Sequence, residues 1–181
     1  MKATPERLEK AALAYQGRYA APAAHLSRML LAKVERSAWF HGTDREAGAA
    51  AVETIVQRLV ERGLVDDALY AEARTRSLRR RGASGRAIRG RLAAKGVAPA
   101  LVERALDRLD RDLGAPELAA ALAYARRRRI GPYRTPAARG AARNRDLAAL
   151  GRQGFDYDTA RRVIDADDLD DLERAAAELP A

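Results

Sequence analysis

Val65 to Val97 reads VDDALYAEARTRSLRRRGASGRAIRGRLAAKGV, and this stretch decides the fold. Asp66 is a good helix N-cap, and the residues after it keep helical period as far as the run Arg79-Arg80-Arg81. Gly82 supplies the left-handed stop common just past a helix end. Ser84 caps a second helix, which turns Ile88 and Leu92 inward and stops at Lys95-Gly96. Pro99 opens a third, with Leu101, Val102, Ala105, Leu106 and Leu109 on one face. The order then returns. Leu92–Leu106 overlays Leu150–Ile164 with a shift of 58 residues, so that Gly96 falls on Gly154, Val97 on Phe155, Ala105 on Val163 and Leu106 on Ile164. Repetition of this kind marks a helical unit used more than once.

Helical period extends to both sides, and no segment alternates as a strand would. Thr4-Pro5-Glu6 starts a helix carrying Leu8, Ala12, Tyr15 and Tyr19. Pro22 opens the next, with Leu26, Met29 and Leu30 inward. After a loop holding Trp39, Phe40 and Gly42, a third helix carries Val52, Ile55, Val56 and Leu59 and stops at Gly63. Downstream of Gly114, helices are expected over Pro116–Arg129, Pro136–Leu150 and Asp158–Ile164. The division that follows is 1–65, 66–113 and 114–166, three helices each, then 167–181 as an acidic C-terminal tail or helix. No pair of short helices buries enough apolar surface alone, so neighbours must stack. The expected fold is all-α, an elongated array of three tandem three-helix repeats. A further helix is suggested by Leu169, Leu172, Ala176 and Leu179 at helical spacing. Tyr15, Tyr19, Tyr70, Trp39 and Phe155 are core candidates.

Charge is unevenly spread over the 181 residues. The net charge is +9, but residues 66–152 alone carry +12, with arginine in 20 of 21 cationic positions, and residues 153–181 carry −6. A polyanion or an acidic protein face is the implied partner. Cysteine is absent, which excludes disulfides and thiolate metal sites. No apolar run reaches membrane-spanning length. MKATPERLEK has charges with no apolar core behind it, so a secretory signal is not expected and a cytoplasmic protein is. Asp66-Asp67 is a cap plus a first-turn acid rather than a metal pair. His25 and His41 lack the partner four residues away that a metal helix needs. Neither GxGxxG nor a phosphate-binding loop is present, and no serine has a base beside it. No catalytic residue, metal or cofactor is expected, and the protein reads as a binder rather than an enzyme.

The candidate binding residues are Arg79, Arg80, Arg81, Arg86, Arg89 and Lys95 in the second repeat and Arg126, Arg127, Arg128, Arg134, Arg139 and Arg143 in the third. Runs of arginine before Gly82 and before Gly131-Pro132 complement the negative ends of helices. Arg86 and Arg89 lie opposite Ile88 and Leu92, and would extend the runs into a basic stripe. Helix Ser84–Lys95 offers base edges only arginine and lysine, which favours contact without sequence preference. Tyr124 and Tyr133 flank the four-arginine run and are the best candidates for stacking on bases. The acidic end is expected either to fray or to dock, and in docking to fold back over the stripe.

These residues resemble the RecX family of regulatory proteins. The resemblance is strongest at Leu64-Val65-Asp66-Asp67, Tyr70-Ala71, Arg79-Arg80-Arg81-Gly82, and Ile88 through Leu92 to Lys95-Gly96-Val97. It continues at Leu13–Tyr19 and Leu26–Val34, and again at Asp146-Leu147, Leu150, Gly154-Phe155 and Val163-Ile164, over residues 8–165 in all. Gln153 departs from it, standing where the family often has a basic residue, and the end after Asp165 has no counterpart. The resemblance implies a cytoplasmic, monomeric protein that lies in the groove of the RecA–DNA filament and restrains ATP hydrolysis, strand exchange and filament growth. Single- or double-stranded DNA within or beside the filament is a further expected partner, and a membrane is not. The residues alone leave two alternatives: a helical DNA- or RNA-binding module with no RecA partner, and an adaptor for another acidic protein.

Overall fold

The computed structural model describes residues 2–111 and 114–177. Among them are ten α-helices, a short 3-10 turn at Gly131–Tyr133 and no strand. The first triplet is α1 (Pro5–Gln16), α2 (Ala23–His41) and α3 (Arg45–Glu61); the second is α4 (Asp67–Arg80), α5 (Gly85–Lys95) and α6 (Pro99–Asp110). The third is α7 (Pro116–Arg128), α8 (Pro136–Arg152) and α9 (Tyr157–Ile164), and α10 (Leu169–Ala177) follows. No helix among the described residues is long and apolar enough to cross a membrane.

Short polar side chains set the helix starts. The Leu69 N–H donates to Asp66 Oδ1 at 2.8 Å, the Ala87 N–H to Ser84 Oγ at 3.1 Å, and the Thr159 N–H to Asp156 Oδ1 at 2.7 Å. Each takes up a donor that the helix itself leaves unpaired. Thr4 stands at the cap position of α1 without making such a bond. Arg129, the last of the arginine run, leaves the helix with φ +51°. The run is thus cut where continued helix would have carried Arg129 round to the face of Leu118 and Leu122.

The chain forms two compact units, one of Met1–Ala71 with Ala93–Ala98, the other of Glu72–Leu92 with Pro99–Ala181. Helices α4 and α5 each contribute residues to both. The core of the first unit is Leu8, Ala12, Leu26, Leu30, Val34, Val52, Ile55, Leu59 and Val65. The second is centred on Leu118, Leu122, Tyr124, Ile130, Leu150, Phe155, Val163 and Ile164. Burial of each large aliphatic side chain contributes about 1.5–3 kcal/mol.

Three of the aromatic core candidates are placed differently. Helix α2 runs through to His41, so Trp39 and Phe40 sit on its last turn rather than in a loop, 78% and 70% exposed. Tyr19 lies beyond the end of α1 and is 60% exposed, and Tyr70 is only half-buried. Phe155 is in the core.

Two junctions of the same construction recur. In the first unit Asp67, at the head of α4, accepts a hydrogen bond from the Ala23 N–H, the first residue of α2, at 2.7 Å. The turn behind α5 closes on that helix start too. Arg28 donates to the Ala94 carbonyl at 3.0 Å, and a Cβ on Gly96 would lie 2.5 Å from Ala24 Cβ. In the second unit Glu117, at the head of α7, accepts from the Gly85 N–H, the first residue of α5, at 2.8 Å. The turn behind α8 closes on the start of α5. Ser84 Oγ donates to the Gln153 carbonyl at 2.6 Å, and a Cβ on Gly154 would lie 2.7 Å from Ser84 Oγ. An acid heading one triplet and the glycine turn behind that triplet's second helix together clasp the preceding triplet's second helix.

Gly82 makes the closest pass. With φ +76° it brings the α4–α5 turn onto α7, where a Cβ would lie 2.4 Å from the Tyr124 nitrogen. Gly82→Ala therefore combines left-handed strain with a backbone collision and should cost about 3 kcal/mol or more. Gly42 has φ +62° but open space around it, so Gly42→Ala should cost only about 1 kcal/mol. Urea unfolding of the two variants checks the difference.

Candidate arginine-rich interface

Arg79 departs from the exposed stripe that the sequence suggests. It is 8% exposed, and its guanidinium donates to Asp110 at 3.1 and 2.6 Å, to Glu117 Oε1 at 2.7 Å and to the Ala83 carbonyl at 3.1 Å. Burial works against its charge, but the hydrogen bonds and charges of Asp110 and Glu117 outweigh it and hold the group charged beyond its ordinary range. Since Glu117 also caps α5, Arg79 is part of the junction. A planar fork can satisfy both carboxylates and a carbonyl at once, which a lysine could not.

Other cations singled out from the sequence are also taken up internally. Arg134 makes a forked pair with Asp146 at 2.6 and 2.8 Å, and the Gly131 N–H donates to the same carboxylate at 2.9 Å. Arg143 pairs with Asp165 at 2.7 and 2.6 Å, and Arg89 with Glu103 at 2.8 and 2.7 Å. Arg139 donates to the Pro132 carbonyl at 2.7 Å. In the first unit the Lys95 ammonium stands 3.4 Å from His25 Nε2. Burial, with Lys95 and Arg28 nearby, pushes the His25 imidazole below its usual range.

Arg80, Arg81, Arg86, Arg126 and Arg128 are exposed, and among the described residues none of them has an acidic partner. Arg127 is exposed as well, with its guanidinium carbon 6.0 Å from the centre of the Tyr124 ring. The contact of Gly82 with Tyr124 sets the end of α4 beside the last turns of α7. Arg80 and Arg81 thus rise from backbone adjoining that of Arg126–Arg128. Arg86 packs its Cβ near Gly154 at the α8–α9 turn, next to the exposed Arg152. Arg152 and the exposed Arg91 are additions that helical spacing did not single out.

The stacking candidates are not available. Tyr124 is 5% exposed and belongs to the core, and Tyr133 is partly buried with its hydroxyl on Glu173 at 3.5 Å. Burial, followed by the charge of Glu173, raises the Tyr133 phenol above its ordinary range. The acidic end forms helix α10, which docks on the core around α7 through Leu169, Leu172 and Ala176 rather than over the arginines. The Ala115 N–H donates to the Ala176 carbonyl at 3.4 Å. Among the described residues its one ion pair is between Asp171 and its own Arg174, while Glu173 accepts from the Tyr133 hydroxyl. Glu178 and Leu179 lie outside the described residues.

Residues 66–106 match a family model described as RecX, second three-helix domain, which takes in α4, α5 and most of α6. Over 166 residues the chain is 43% identical to Regulatory protein RecX of Myxococcus xanthus (strain DK1622), covering 91% of this chain and 88% of that protein. The chain belongs to the RecX family. Regulatory protein RecX of Agrobacterium fabrum (strain C58 / ATCC 33970) is 33% identical over 100 residues, 55% of this chain and 51% of that one. The crystal structure of RecX from Lactobacillus salivarius superposes with a TM-score of 0.58 at 17% identity, covering 89% of this chain and 94% of that one. The RecX fold of three-helix domains is thereby shared, and the family is one of regulatory proteins rather than enzymes.

Asp146 offers a test of which arginines are structural. It is 2% exposed, and Arg134 first, with the Gly131 N–H adding to it, holds its carboxyl below the ordinary range against the effect of burial. A depressed carboxyl contributes stability that is present above its unfolded pKa of about 3.9 and lost as pH falls through the folded value. Asp146→Asn should cost about 3 kcal/mol at neutral pH. It should also flatten the loss of stability below about pH 4, as followed by urea unfolding at several pH values.

Proposed function

We propose that this protein regulates the RecA recombinase by binding alone, attaching to the RecA–DNA filament and slowing ATP hydrolysis, strand exchange and filament growth. The observation that carries this reading is the 43% identity to a RecX regulatory protein over 91% of the chain. Two features of the second unit support it. The arginine excess divides into cations locked in internal pairs and a set left outward without acidic partners among the described residues, Arg80, Arg81, Arg86, Arg126, Arg127 and Arg128. That outward set fits a phosphate backbone or an acidic filament surface, and its lack of an aromatic platform suits contact without base reading.

RecA-dependent ATP hydrolysis on single-stranded DNA should fall when this protein is added well below stoichiometric amounts. Unchanged hydrolysis at equimolar protein overturns the reading. Replacing the six outward arginines by glutamine should weaken filament binding by about 0.5–1 kcal/mol each. It should also reduce the salt slope, with circular dichroism unchanged. Arg79→Gln should instead lower the unfolding midpoint, because it strands Asp110 and Glu117. Fluorescence anisotropy on labelled filaments at several salt concentrations, with thermal melts beside it, separates the two classes.

A further inference from the structure

Helix α10 brings to the arginine-rich second unit charge of the opposite sign. Asp167, Asp168, Asp170, Asp171 and Glu173 stand in or just before it, against the single Arg174. Leu169, Leu172 and Ala176 share one face and pack on the core around α7. At 100° per residue Glu173 falls at the edge of that face, whereas Asp170 and Asp171 point away from it. The Tyr133 hydroxyl donates to the Glu173 carboxylate at 3.5 Å. Tyr133, Glu173 and Arg126 line one cleft of about 270 Å³ with Ala119, Leu122 and Ala176. Burial and the charge of Glu173 raise the Tyr133 phenol, and Arg126 works against them, so both charges reach the same ring. Arg126 begins the outward run Arg126–Arg128. Helix α10 does not lie over that run, but the acid on its docking face stands beside the run's first member.

The docked helix is held by little. Among the described residues of α10 only Ala176 is fully buried, against Ala160, Val163 and Ile164 in the shorter α9. Among the described residues α10 makes no ion pair with another element. The Ala115 N–H reaches the Ala176 carbonyl only at 3.4 Å, and the cleft interrupts the packing of α10 on α7. The helix start is capped from within, since Asp168 Oδ1 accepts from the Asp170 and Asp171 N–H groups at 2.8 and 3.2 Å. Few buried contacts and a cap of its own place α10 among the elements that open most easily.

We propose that α10 is an autoinhibitory element: docked, it sets Glu173 beside Arg126 and weakens the hold of Arg126–Arg128 on a nucleic-acid phosphate backbone, and a bound backbone drives it off α7. This rests on the reading of those arginines as a polyanion-facing surface. An acid on the flank of the run lowers its positive potential, and phosphates taking up the same cations repel Glu173 in turn. By linkage the two effects are equal: what docking takes from phosphate affinity, phosphate binding takes from docking. A phosphate backbone suits the run better than a protein face does. Forked guanidinium groups match phosphate oxygens. Among residues 72–111 and 114–156 no large apolar side chain stands exposed to anchor a protein interface.

The test uses the full chain and a fluorescein-labelled oligothymidylate of about 30 nucleotides, followed by anisotropy at several salt concentrations. Glu173→Gln keeps an acceptor for Tyr133 and removes the charge. It should tighten binding by about threefold at about 0.05 M salt, the gain shrinking as salt rises. Asp170→Asn, the same change of charge away from the docking face, should do much less. With Arg126→Gln also in place, the gain from Glu173→Gln should vanish. Linkage supplies a second measurement. The chain has no cysteine, so Ala176→Cys places a single thiol in the docked contact. Its reaction with an aromatic disulfide reagent should quicken severalfold when the oligothymidylate saturates the protein, with circular dichroism and melting as in the parent. Equal affinity of parent and Glu173→Gln across the salt range, a gain that survives Arg126→Gln, or a thiol rate indifferent to the oligonucleotide overturns the proposal and leaves the run a binding surface. Poly-glutamate that binds the run more tightly than the oligothymidylate would assign it to an acidic protein and also overturns the proposal. Unchanged affinity after Arg126→Gln, Arg127→Gln and Arg128→Gln together is a different failure: the run is then no polyanion surface, and the reading beneath the proposal falls with it.

Discussion

One contact recurs where two triplets meet: a carboxylate from the head of one triplet takes the first N–H of the preceding triplet's second helix. Helix starts leave several N–H groups without internal partners and concentrate positive charge there. Burying such a start against another helix would be costly without an acceptor. Asp67 and Glu117 are those acceptors, and each sits at the first or second position of its own helix, where its charge is also favoured. The glycine turns complete the arrangement. Gly96 and Gly154 let backbone approach the helix start as no residue with a side chain could. The 58-residue offset between them is therefore a repeat of an interaction as well as of a helix.

Arginine serves two purposes in the second unit, and geometry separates them. Arg79, Arg134 and Arg143 are each forked onto carboxylates and tie together residues distant in sequence. Where such a pair is buried, removal of either partner leaves the other charge stranded, so it specifies structure whatever its net contribution to stability. Arg80, Arg81, Arg86 and Arg126–Arg128 have no such obligations. Arg79, Arg80 and Arg81 are adjacent in the chain, yet the first is inside and the others outside, because successive helical residues point about 100° apart.

That difference explains what the sequence could and could not show. Helix starts at Asp66, Ser84, Pro99, Pro116 and Pro136 were legible because caps and prolines act locally. The apolar faces of Leu26–Leu30, Ile88–Leu92 and Val163–Ile164 were legible because burial imposes helical period. The destination of each cation was not legible, since the carboxylates that claim Arg79 and Arg134 lie 31, 38 and 12 residues away. Nor was the exposure of Trp39 and Phe40. Both lie on the last turn of α2, which runs on to His41 where the sequence suggests a loop. A clue to Glu117 was present in the sequence: Pro116-Glu117 repeats Pro5-Glu6, a first-turn acid at the head of a triplet, as Asp67 is. An acid at that position already suits the positive end of its own helix, so the pattern by itself does not reveal the second role.

The same logic accounts for where the series of junctions stops. A further junction would need α8 to offer the first N–H that Ala23 offers in α2 and Gly85 in α5. Residue 136 is proline, which has no N–H to give. Helix α10 follows α9 as α7 follows α6, and it carries Asp170 and Asp171 in its first turn. It nevertheless packs through Leu169, Leu172 and Ala176 onto the core around α7. Repeat proteins need terminal elements that end the pattern and cover apolar surface. Pro136 ends the capping pattern by removing a donor, and α10 covers the surface that the last triplet would otherwise expose.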